Sequence, residues 1–102
     1  MQKIIVHIDA DLQDIVPLFL QSRADDVQKL QSALQAARYD EMYVIAHNLA
    51  GTGAGYGFET ISDIGRQMCD AIKAQKLDGL PTLIEQLQSY LSAVEVVYRS
   101  SK

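Results

Sequence analysis

The stretch Ala46-His47-Asn48-Leu49-Ala50-Gly51-Thr52-Gly53-Ala54-Gly55-Tyr56-Gly57-Phe58 sets one histidine ahead of four glycines at alternating positions. On a helix turning about 100° per residue, Met42, Ile45, Leu49, Thr52 and Tyr56 gather on one side and His47 points the other way. An exposed imidazole is predicted. Around it, at helical spacings, stand Ala50, Gly51, Ala54 and Gly55, none with a side chain larger than a methyl group. Each glycine inside a helix costs roughly 0.8–1 kcal/mol relative to alanine, so something must offset the cluster. Two accounts are compatible. Gly53 and Gly57, nearer the inner face, end the helix or let two helices pack closely, and Gly51 and Gly55, nearer the outer one, let a partner's backbone approach His47.

Working outward, the flanking segments also read as helices. From Pro17 onward, Leu20, Ala24, Val27, Leu30, Leu34 and Ala37 recur at three and four, an inward stripe for a long helix ending near residue 37. Asp9 and Asp11 offer N-cap chemistry for a helix beginning near residue 10. Pro17, about two turns in, is expected to divide that helix into a short one and a long one. Arg38-Tyr39-Asp40 is expected to form a turn, with Asp40 opening the helix that carries His47 to about Gly55. A third helix follows from Phe58, with Phe58, Ile61, Ile64, Met68 and Ile72 inward, and Asp78-Gly79 breaks it. Pro81 suits the first turn of a fourth, whose inward face is Leu80, Leu83, Ile84, Leu87, Leu91, Val94 and Val97.

Residues 1–8 contain Ile4-Ile5-Val6, but no second strand is evident, so an extended arm is expected, with His7 as a surface residue on it. Residues 98–102 are expected to fray. Four amphipathic segments joined by short loops make one domain over residues 1–102. Its fold is expected to be all-α, an up-down antiparallel four-helix bundle with a short extra N-terminal helix.

Composition narrows the function. At 102 residues the chain supports a single core, and nearly half of it is apolar, with two prolines and no tryptophan. Nine basic against thirteen acidic residues give a net charge of −4, without the cationic footprint that nucleic acid or an anionic membrane requires. The apolar runs are far shorter than a bilayer crossing and no leader pattern is read, so a cytoplasmic protein is expected. Cys69 has no second cysteine to pair with, and His7 and His47 are too far apart in sequence to resemble a zinc site. No metal or cofactor is expected.

A catalytic triad needs a nucleophile and a carboxylate converging on the histidine, and the face around His47 offers small residues instead. An independent enzyme is therefore not expected. A neutral imidazole does have a free ring nitrogen able to attack an activated phosphoryl group. The activating machinery, a metal and an acyl phosphate, has to come from a partner.

With these residues in view, the chain resembles a stand-alone histidine-containing phosphotransfer (HPt) domain of two-component phosphorelays. The family pattern sets an apolar residue two after the histidine, usually lysine at three, glycine at four, glycine at ten and an apolar residue at fourteen. His47, Leu49, Gly51, Gly57 and Ile61 match it. The resemblance implies a four-helix bundle with His47 as the phosphoacceptor, taking a phosphoryl group from a receiver-domain aspartate and passing it to another. It implies response-regulator receiver domains as partners, with a hybrid sensor histidine kinase a further one, and a monomer is expected. Ala50, Gly51, Ala54 and Gly55 would form the docking floor, with Tyr43 at its edge.

Two positions depart from the family. Ala50 stands where lysine is usual, and Cys69 stands where glutamate or an amide residue often faces the histidine ring. Arg66, Cys69 and Lys73 share one face of the third helix, level with His47, so Arg66 or Lys73 is expected to supply the missing charge. Cys69 is expected to be a small buried side chain, and Arg23 is a cation further from the site. The alternative reading is a degenerate adaptor that binds receiver or kinase domains without phosphotransfer.

Overall fold

The computed structural model describes residues 3–100. Strand β1 (Ile4–Asp9) leads through a single 3-10 turn at Ala10–Leu12 to helix α1 (Val16–Gln35). Helices α2 (Tyr39–Thr52), α3 (Glu59–Lys73) and α4 (Leu80–Ala93) follow, and strand β2 (Val94–Arg99) closes the described chain. The four helices pack as the expected bundle, α1 against α2 and α4, and α3 against α2 and α4.

The expected short N-terminal helix is only the 3-10 turn, capped by the Asp9 side chain, which accepts from the Asp11 N–H at 2.9 Å. Pro17 lies in the first turn of α1, not two turns inside a longer helix. There its missing N–H removes no hydrogen bond, so α1 runs unbroken to Gln35. Its inner face is also rotated from the expected stripe. Val27 and Leu30 are buried, but Ala24 is exposed, Ala37 lies beyond the helix, and Val16, Phe19, Arg23, Asp26 and Ala33 are buried instead. The cause is Arg23 and Asp26, an inward-facing ion pair that an apolar count places outside.

α2 begins at Tyr39, one residue before the expected Asp40, so the turn is Ala36-Ala37-Arg38 in place of Arg38-Tyr39-Asp40, and the helix ends at Thr52, short of the expected Gly55. Ala54–Tyr56 then forms a 3-10 turn, and Gly57 at φ +94° takes the left-handed conformation that lets Phe58 enter the core. The seam between α2 and α3 is set by Gly65. A Cβ there would stand 2.6 Å from the Ala50 nitrogen and 2.7 Å from the Ala46 oxygen. Only glycine permits that approach.

α4 stops at Ala93 because Val94-Glu95-Val96-Val97-Tyr98-Arg99 alternates with a period of two and is rich in β-branched residues. β2 pairs in parallel with β1, from Ile4 opposite Val94 to Asp9 opposite Arg99. Val6, Ile8, Val94, Val96 and Tyr98 pack toward the core, while Ile5, His7, Glu95, Val97 and Arg99 face outward. The arm expected over residues 1–8 is therefore in large part a strand, and the tail expected from residue 98 begins inside one. Positions 1, 2, 101 and 102 of those segments lie outside the described residues.

Candidate functional site

His47 lies past the middle of α2 with its side chain exposed, on the face opposite the buried Met42, Ala46 and Leu49. One turn earlier, the Tyr43 ring lies alongside the imidazole, with centroids 6.2 Å apart and planes inclined at 27°. Lys73, near the end of α3, holds its ammonium 5.6 Å from the Tyr43 ring centroid. The pKa of Lys73 is raised chiefly by its hydrogen bond to Tyr43, so the exposed cation is held in its charged form. Among the three residues expected to support the phosphoryl group, Lys73 is thus joined to the histidine through one aromatic ring.

Arg66 and Cys69 are placed differently. Arg66 is exposed and pairs with Asp63 one turn back on α3, so its charge is engaged locally. Cys69 is buried at the helix seam, and burial pushes its thiol up in pKa, which keeps it neutral. Arg23 is buried on α1, where one guanidinium nitrogen donates to Thr52 Oγ1 at 3.1 Å. Its Nε lies 2.9 Å from Asp26 Oδ2, an ion pair whose angle falls short of a hydrogen bond. Thr52 in turn donates to the Asn48 carbonyl at 2.8 Å, so Arg23 ties the end of α2 to α1.

Of the small residues, Gly51 is exposed on α2 and a Cβ there would meet nothing within 4 Å. Ala50 is half-buried in the seam created by Gly65, and so forms the inner border of the surface. Ala54 and Gly55 are exposed in the 3-10 turn that follows α2, not on the helix itself. Ser62 receives the Ala54 N–H at 2.7 Å and fixes that turn on the first turns of α3. Gly53 is buried against the same helix start, where a Cβ would stand 2.7 Å from the Ser62 nitrogen.

The sequence reading missed the apolar half of this face. Val44 is 68 % exposed on α2, Leu18 on α1 is 70 % exposed, and Ile15, just before α1, is 42 % exposed. Ile15 and Leu18 border a groove of about 360 Å³ whose far wall is Asn48 and Thr52, and Val44 stands one turn before Asn48. The signal was present as large apolar residues out of phase with each inner stripe. Leu18 sits one residue from the buried Phe19, and Val44 lies midway between the buried Met42 and Ala46.

Among the described residues, no cluster of three or more His, Cys, Asp or Glu side chains could hold a metal ion. None of the described helices is long and apolar enough to cross a membrane. No curated protein and no solved structure matches this chain. The model of the Hpt domain does match, over residues 14–96, a span that takes in all four helices and His47. On that match the chain belongs to the Hpt domain family, the histidine phosphocarriers of two-component signalling.

Proposed function

We propose that His47 is the phosphoacceptor of a phosphorelay intermediate, taking a phosphoryl group from a receiver-domain aspartyl phosphate and returning it to another receiver aspartate. The observation that carries this reading is the exposed imidazole on a helix face whose neighbour Gly51 leaves open space for an incoming loop. The lone pair of a ring nitrogen forms the N–P bond while the P–O bond to the receiver carboxylate breaks. The carboxylate leaves with the electron pair, and the other ring nitrogen keeps its hydrogen. The receiver supplies the metal and the acyl phosphate.

In this reading Val44, Leu18 and Ile15 provide the apolar contact with the receiver, and Gly51, Ala54 and Gly55 the close approach. Lys73 takes over the role of the lysine absent at position 50, steadied by Tyr43 and acting on the phosphoryl oxygens from the α3 side. The adaptor reading is favoured by Ala50 and by the buried, neutral Cys69, which leave the imidazole without its usual cation and ring partner.

Transfer of labelled phosphate from a panel of phosphorylated receiver domains decides between the two. Acid-labile label on the parent and none on His47→Gln is the expected result. Receiver binding without label on either protein makes the chain an adaptor.

A further inference from the structure

Outside the His47 face, the least satisfied part of the molecule is the sheet. Parallel strands are almost always covered on both faces, whereas here the two strands expose Ile5 and Val97, 58 % and 39 % accessible, on their outer side. Among the described residues each strand pairs only with the other, so each has one edge of open backbone N–H and C=O groups. The sheet is also accessible. The longest helix has 20 residues, about 30 Å, against a long axis of 46 Å for the molecule. The strands prolong the bundle where α4 stops.

Edge charges usually repel a second edge, and β2 carries two, Glu95 and Arg99. They are two positions either side of Val97 and share its outward face. An antiparallel pairing of β2 with a second β2 about a two-fold axis at Val97 therefore sets Glu95 opposite Arg99 of the second copy, and Arg99 opposite its Glu95. Val97 meets Val97. On the inner face Val96 meets Tyr98, a β-branched and aromatic pair of the kind that stabilises cross-strand contacts. Within the chain, Lys3 lies 3.8 Å from Glu95, and Arg99 donates through Nε to His7 Nδ1 at 2.9 Å on the neighbouring strand.

We infer that β2 is a homodimerisation edge: two copies of this chain join through antiparallel β2 strands centred on Val97, making a four-stranded sheet with Glu95–Arg99 pairs across the axis. This departs from the monomer expected from the sequence, and it is independent of what His47 does.

Charge exchange tests it. In sedimentation velocity over a concentration series the parent dimerises. Glu95→Arg and Arg99→Glu each weaken dimerisation about tenfold, because two attractive pairs become repulsive. Mixing the two variants restores it, since every Arg then faces a Glu. Val97→Cys, oxidised gently at low protein concentration, gives a disulfide-linked dimer, since directly opposed strand residues lie within disulfide reach. Circular dichroism confirms that each variant keeps its helices. A parent that stays monomeric throughout, or a dimer indifferent to both reversals and to their mixture, overturns the inference.

Discussion

Between Lys73 and His47 stands the Tyr43 ring, so in the proposed transfer Lys73 would act from the far side of an aromatic group. Lys73→Ala is expected to reduce phosphohistidine yield or lifetime about three- to tenfold, read from the decay of acid-labile label. Arg66→Ala is expected to leave both unchanged, because its guanidinium is held by Asp63. Equal effects of the two would remove Lys73 from its role. The glycines divide in the same way. Gly65→Ala forces a Cβ onto the backbone of α2 and is expected to cost about 3 kcal/mol in urea denaturation. Gly51→Ala meets nothing and is expected to gain about 1 kcal/mol through helix propensity. The clustered glycines were legible from their spacing around His47. Gly65 was not, since what requires glycine there is the backbone of Ala46 and Ala50 on another helix, which no local pattern of α3 reveals.

At the level of elements, α1 and α3 both close on a left-handed residue that is not glycine, Ala37 at φ +55° and Gln75 at φ +57°. The backbone bonds Arg38 N–H to Ala33 O at 2.8 Å and Lys76 N–H to Ala71 O at 2.9 Å complete the two ends. Ala37→Gly and Gln75→Gly are each expected to raise stability by about 0.5–1 kcal/mol, checked by thermal and urea unfolding. The buried pair on α1 gives a pH signature. Burial raises the Asp26 carboxyl above its ordinary value of 3.8, with Arg23 opposing the shift. Because the folded value exceeds the unfolded one, the contribution of Asp26 is fully present below that ordinary value and fades as pH rises through the folded one. The stability of the parent relative to Asp26→Asn is therefore expected to fall as urea titrations move from about pH 3 to about pH 7. The four helices were legible because their stripes are apolar and because Gly or Pro stands at the α2–α3 and α3–α4 breaks. The rotation of α1 was not, because Arg23 and Asp26 neutralise each other inside while reading as a solvated face.

Across the whole molecule, what the sequence concealed was the sheet. Val94 and Val97 fit the three-residue spacing of α4, although in the strand they fall on opposite faces, and the partner of β2 lies about 90 residues earlier in the chain. That separation carries a consequence for motion. The α2–α3 hairpin joins neighbours in sequence, whereas β1 with β2 must close a loop through the entire bundle, and the entropy of that closure is recovered from only six paired positions. The strands are therefore expected to act as a clasp that opens while the helices stay packed. Amide hydrogens of β1 and β2 are expected to exchange with solvent well before those of α2 and α3, under conditions where global unfolding is rare. Exchange at a single common rate would instead make the clasp part of one cooperative unit. If the edge of β2 is shared between two copies, its opening also requires their separation, and protection of the strand amides grows with protein concentration while that of the helices does not.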